Sequence, residues 1–470
     1  MNPSVRNGPV HRARSPGGRA SQPFQPLIAM FGDATMAAIF SERASIEAWL
    51  QVERALAGAQ GRIGVIPTSA ATAIESAARV DRINIVALRR AARNVGYPIL
   101  PLLDQIAKGA PEDVAGFLHW GATTQDIMDT GLALQMTRGI NRCGALLIAL
   151  GDDLAAVLAA HESTLVAART HGQHAVPTTF GAKVAVWLSE LGRHVRRIRV
   201  AREQAAVVQL FGAGGTSAAT GEAGRDVRHE VARVLGLAAR DVPWHTARDG
   251  LAEVGFVLAA IAATCGKIAR EVIELSRTEI GEVSESKGHF RGASSTMPQK
   301  ANPILSEAVV GMCALAQQHV PALLRAMEAG HERAAGEWQI EWDAVPMLFA
   351  LGAGCLVTTD EIIQGLHVYP ARMLANLRAD GGALMAEAAM MRLAPALGRR
   401  AAHSVVYRTC VVARDQGVTL EEALRTTLTA SQLRLLEPLE QLLDPATYLG
   451  EALSIARAAT SEWASAKRQI

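Results

Sequence analysis

From Leu251 to Ile280 the chain carries no proline, and Val254, Leu258, Ile261, Cys265, Ile268, Val272 and Leu275 recur at alternating spacings of four and three. That pattern predicts one long helix with an apolar seam turned toward neighbouring helices. Comparable stretches run through about 131–165, 178–208 and 304–330, each helical by composition and much longer than the ~11-residue average helix. Short polar or glycine-rich breaks separate them, at 120–126, 211–216 and 284–303. Long helices without sheet signals predict an all-α fold of three helical domains around a central bundle of five long helices. The expected organisation is a disordered tail over 1–23, an N-terminal helical domain over 24–119, a central bundle over 120–370 and a C-terminal helical domain over 371–470. Side chains that carry chemistry are expected in the breaks.

Composition narrows this further. A chain of 470 residues with 49% hydrophobic content can bury a large core, and an aromatic share of only 4% favours closely packed helices. A net charge of +2 gives no reason to invoke nucleic acid or an anionic membrane. The five cysteines are far apart and odd in number, as expected for buried thiols in a reducing compartment. None of the thirteen histidines sits in a metal-ligand motif, so cofactor-free chemistry is expected. The tail has no apolar core of a secretory signal, and no run reaches ~18 uncharged apolar residues, so a cytoplasmic protein without membrane spans is expected. Five long helices expose wide apolar stripes, which points to a homo-oligomer.

The segment Arg291-Gly-Ala-Ser-Ser-Thr-Met-Pro-Gln-Lys-Ala-Asn-Pro303 packs hydroxyls, a lysine and an asparagine between glycine and proline. Gly288 and Gly292 are expected to give the approach mobility, while Pro298 and Pro303 fix φ before a helix from Ile304. Hydroxyls beside a fixed cation suit proton abstraction, and the alternative is a solvated linker. The run resembles the Gly-Ser-Ser-x-Met-Pro-x-Lys-x-Asn-Pro signature of the fumarase/aspartase superfamily, with Ala293 in place of a glycine. Two further blocks support the resemblance: His119-Trp-Gly-Ala-Thr-Thr-Gln-Asp-Ile-Met-Asp-Thr130 and Arg169-Thr-His-Gly-Gln-His-Ala-Val-Pro-Thr-Thr-Phe-Gly181.

The resemblance implies a homotetramer whose active sites are shared between subunits and act on a small di- or tricarboxylate. It also implies Ser294 as the base, with Lys300 and Asn302 binding a substrate carboxylate and Ser295 and Met297 contributing from the same loop. Thr123 and Thr124 match a carboxylate-binding hydroxyl pair; hydroxyls at a helix start suit an anion, although they also serve simply as caps. His171 matches the general acid that adenylosuccinate lyases use toward a leaving nitrogen, and Thr170, Gln173 and His174 are candidates for the pocket wall. Imidazole suits that step because it ordinarily titrates near neutrality.

Four further stretches, including 243–249 and 331–342, resemble the 3-carboxy-cis,cis-muconate cycloisomerase branch. Adenylosuccinate lyases carry an early histidine where this chain reads Asn94-Val-Gly-Tyr-Pro-Ile-Leu-Pro101, and a phosphate-binding arginine where it has Trp342. An indole cannot pair with a phosphate dianion as a guanidinium does, which argues against a purine nucleotide. The retained His171 favours loss of an amine or nitro group from a substituted succinate, leaving fumarate. Carboxymuconate cycloisomerisation is the enzyme alternative, and a non-catalytic helical scaffold is the alternative outside catalysis.

Overall fold

A computed structural model describes residues 25–286, 288 and 291–469. The tail expected over 1–23 lies outside them. The five bundle helices are α2 (Thr124–Ala160), α3 (Phe180–Ala205), α4 (Asp249–Ser276), α5 (Ile304–Ala326) and α6 (Glu337–Gln364); α1 (Glu42–Ile63) is the long helix preceding them. All seven residues of the α4 seam are buried, and they meet Leu147, Leu188, Val309, Met312 and Leu356 in one continuous core. Pro321 lies inside α5 and Pro346 inside α6 without ending either helix. Packing of α5 against α4 and α6, and of α6 against α2, α4 and α5, outweighs the ~3 kcal/mol cost of an interior proline.

Three of these helices, α2, α4 and α6, are long and apolar enough to cross a membrane by length and composition, contrary to the expectation from uninterrupted apolar runs. Scattered charges break such runs without lowering the average. The buried shares of their apolar windows are 44%, 67% and 61%, so these surfaces largely serve the bundle core, α2 least completely.

The bundle is flanked at its two ends. Residues of α1 and the helices Ile85–Val95 and Ile99–Ala107 share a core with Ile127, Met128 and Trp338, at the start of α2 and α6. A separate core over Leu377–Leu439 forms the C-terminal helices. The last long helix, α7 (Ala452–Ala466), returns to the bundle, where Trp463 is buried and donates to Asp152 Oδ1 at 2.8 Å. Gly151 permits that approach, since a Cβ there would lie 2.1 Å from the Trp463 ring.

Sheet structure is limited, among the described residues, to three two-stranded pairings. The largest, absent from the all-helical expectation at this detail, is the hairpin β1 (Leu165–Thr170) and β2 (Gln173–Thr179), between α2 and α3. Buried Val166 and Ala167 give it an inner face, while Pro177 helped to mask it in the sequence.

Candidate active site

Thr123 and Thr124 stand at the start of α2, Thr123 as its N-cap. The Thr123 N–H donates to Asp126 Oδ2 at 3.0 Å, and Asp126 is fully buried. The same carboxylate accepts from the backbone N–H groups of Phe211 (3.1 Å) and Gly212 (2.9 Å) and lies 2.8 Å from His245 Nε2. One side chain thus ties together three chain breaks that are far apart in sequence. His119, at the head of the first block, has φ of 59° and its Nδ1 lies 2.6 Å from Glu53 Oε1. Burial pulls its pKa down, but the Glu53 carboxylate outweighs this and holds it above the ordinary histidine value.

Beneath this end lies a buried ionic cluster. Arg248 donates to Asp129 at 2.7 and 3.1 Å and to Glu341 at 2.8 and 2.5 Å, and Asp129 also accepts from Trp338 Nε1 and Gln125 Nε2. Burial works against the Arg248 charge, yet two carboxylates keep the guanidinium firmly protonated; burial also raises Glu341 despite its partner. A second arginine arrives from the loop before α6. Arg333 donates to Thr123 Oγ1 at 3.2 Å and to the Ala213 carbonyl at 3.0 Å, and pairs with no carboxylate among the described residues. A guanidinium engaged only by neutral oxygens, beside a helix N-terminus, is a ready anion-binding arrangement.

His171 and Gly172 form the two-residue connection of the β1–β2 hairpin, with φ of 52° and 74°, the signs of a type I′ turn. A histidine in that left-handed conformation is uncommon, and such backbone strain concentrates at working sites. Thr170, His171 and Gln173 are exposed at the hairpin tip and His174 is partly covered. Arg169, two residues before His171, binds the fully buried Glu282 at 2.6 and 2.9 Å, which fixes the hairpin beside the approach to the serine loop.

The loop itself closes as a small hairpin. Ala293 bridges Ala301, and the Asn302 N–H donates to the Gly292 carbonyl at 2.9 Å. Gly292 has φ of 65°, and a Cβ on it would lie 2.4 Å from the Asn302 oxygen, so this glycine closes the loop and does not simply loosen it. Glu285 anchors the far foot, accepting from Leu305 N, Ser306 N and Ser306 Oγ at the start of α5. Ser294 Oγ accepts from the backbone N–H groups of Met297 at 3.1 Å and Thr296 at 3.3 Å. Donors aimed at that oxygen favour its anionic form. These amides belong to residues 296 and 297, not to Ser295. Ser295, Met297 and Lys300 are exposed, Asn302 is partly covered, and Lys300 makes no ion pair among the described residues.

One chain does not bring all of these groups together. The 37 residues of α2 span about 55 Å, and a six-residue strand folded back along it recovers only about 20 Å. Thr123, Thr124 and Arg333 therefore stand at one end of the bundle, and His171, Ser294 and Lys300 at the other. Sequence reasoning missed Arg333, Asp126, His245, Arg248 and Glu341. Stretches 243–249 and 331–342 had stood out only as family likeness, and the signal within them was buried-type charge in apolar surroundings.

Residues 31–317 match the family model described as Lyase, and 382–459 match that described as Adenylosuccinate lyase C-terminus. The chain is 40% identical over 438 residues to a 3-carboxy-cis,cis-muconate cycloisomerase from Pseudomonas aeruginosa, covering 92% of this chain and 95% of the relative. It is 39% identical over 430 residues to a nitrosuccinate lyase from Streptomyces davaonensis, covering 88% and 90%. The crystal structure of a 3-carboxy-cis,cis-muconate lactonizing enzyme from Pseudomonas putida superposes with a TM-score of 0.87 at 36% identity, covering 94% of this chain and 99% of that one. With its predominantly helical architecture, its three motif blocks and these matches over nearly its whole length, the chain belongs to the fumarase/aspartase superfamily of lyases.

Proposed function

We propose that this enzyme eliminates an amine or nitro group from a substituted succinate and releases fumarate. The observation that carries the reading is His171, an exposed imidazole held at the tip of a left-handed turn where a departing nitrogen can meet it. The 39% identity to a nitrosuccinate lyase supports it. In this mechanism Ser294 Oγ, assisted by the amides of Thr296 and Met297, takes the proton from the carbon beside one carboxylate. The electron pair forms the new C=C bond as the C–N bond breaks, and the nitrogen group leaves with that bonding pair. An amine takes a proton from His171, whereas nitrite leaves as an anion and needs less help. Lys300 and Asn302 hold one carboxylate; Thr123, Thr124 and Arg333 hold the other. Charge accumulates on the first carboxylate during proton removal, so donors placed there act on the transition state itself.

Because those groups stand at opposite ends of one bundle, the complete site is assembled from several copies of the chain, as a homotetramer. The partly exposed apolar face of α2 supports that assembly. Carboxymuconate cycloisomerisation is the second reading, favoured by the 40% identical relative, and it uses the same carboxylate clamps in the addition direction. Incubation with nitrosuccinate, several aminosuccinates and carboxymuconate, with products identified by mass, separates the two. Fumarate from a nitrogen-bearing succinate is expected; lactone from carboxymuconate with no fumarate from any succinate overturns the choice.

A further inference from the structure

Beside the Thr123 end lies a cavity of about 220 Å³, lined chiefly by Trp49, Met128, Leu132, Trp338, Trp342 and Pro346. Three of the chain's seven tryptophans meet there, so the wall is specialised. Trp338 and Trp342 pack edge to face at 5.2 Å, and Tyr97 backs them at 5.8 and 6.1 Å. The volume is ring-sized, since an apolar cavity of ~150 Å³ already admits benzene.

Two observations connect the cavity to a ligand. Thr124, Met128, Leu132 and Gln135 follow one another at helical spacing along one face of α2, so the cavity continues the stripe that begins at the carboxylate-binding hydroxyls, about 6 Å away along the axis. The shielded Trp342 Nε1–H has no acceptor among the described residues, which is uncommon for a buried donor and calls for one from outside the chain. The one carboxylate in the wall, Asp129, is engaged by Arg248, so the cavity offers no free charge.

We propose that this cavity receives an uncharged, ring-bearing group carried on the leaving nitrogen of the substrate. The inference rests on the nitrogen-elimination reading and narrows it to aminosuccinates of the form R–NH–CH(COO⁻)–CH₂–COO⁻. Ser294 removes a proton from the CH₂ carbon, the C–N bond breaks with its electron pair going to nitrogen, His171 supplies a proton there, and fumarate and R–NH₂ result.

2-Benzylsuccinate tests the pocket without turnover, because its ring is attached through carbon and cannot leave. Calorimetry on the whole protein is expected to show it binding at least tenfold tighter than succinate. Trp342→Ala is expected to erase that advantage while leaving succinate affinity within threefold, and Trp342→Phe to retain part of it. Should Trp342→Ala fail to fold, Leu132→Asn places a polar group in the same wall and carries the same expectation. Equal affinities for the two ligands in the unmodified protein, or an advantage that survives loss of the wall, overturn the proposal. Failure of every nitrogen-bearing succinate to yield fumarate overturns the underlying reading instead, whatever benzylsuccinate does.

Discussion

The two ends of the bundle carry polar chemistry in opposite ways. At the Thr123 end the charges are internal: Asp126, Asp129, Arg248 and Glu341 are at most 2% exposed, and each takes part in at least two hydrogen bonds. At the serine end the buried carboxylates hold the framework: Glu282 binds Arg169 near the hairpin tip and Asn376, and Glu285 binds the far foot of the loop, while Ser295, Met297, Lys300 and His171 face outward. A carboxylate clamp gains from rigidity, because donors already in place need no reorganisation when charge develops. A proton-moving loop must admit substrate before it encloses it, so fewer fixed contacts suit it.

The largest effect expected from this division is on chemistry without stability. Ser294→Ala removes the proposed base from an outward-facing segment, so turnover should fall by about 10²–10⁴-fold. The thermal midpoint should stay within about a degree, since the side chain bonds only to its own loop. Near-native turnover, measured as fumarate formed per active site, would remove Ser294 from the mechanism.

The reverse separation is expected at the other end. Arg248→Met leaves Asp129 and Glu341 buried without their cation, a loss of about 3–5 kcal/mol by the usual behaviour of broken buried pairs. Denaturant unfolding would read it as a lower midpoint. Adding Asp129→Asn and Glu341→Gln to that variant should restore much of the loss, because the stranded charges are then gone. If Arg248→Met alone is as stable as the unmodified chain, this end is not the rigid half.

The sequence carried the local part of this arrangement. The seam of α4 was readable because helix periodicity repeats every few residues, and the serine loop because its hydroxyls, lysine and prolines are contiguous. The α6 helix was harder, since Pro346 interrupts a pattern that packing sustains. The ionic cluster was not readable at all: Arg248 meets partners 119 and 93 residues away, and no local spacing encodes such pairs. Nor could motif order reveal that the clamp and the base occupy opposite ends of one chain. That followed only once the length of α2 set a distance between them.

A smaller effect distinguishes the serine end by pH. Asp360 lies one residue before Glu361, which pairs with Arg291 at the loop's entry, and shares Gln364 with Asp153. Burial, then the Asp153 carboxylate, pushes Asp360 from 3.8 up to about 7. Between those values the folded protein retains a proton that the unfolded chain has lost. Its contribution to stability is therefore present below about pH 4, declines as pH rises toward about 7, and is gone above that. Glu361 cannot relieve the repulsion because it is anionic, and Arg291 is already committed to it. Asp360→Asn has no charge to develop, so the variant should match the unmodified protein near about pH 4 and exceed it by about 1 kcal/mol at pH ~8, a modest gain because solvent screens a half-buried pair. Denaturant midpoints across that range measure the difference. A gap that does not widen with pH would mean that Asp153 and Asp360 do not repel, and would leave the serine end as electrostatically settled as the clamp.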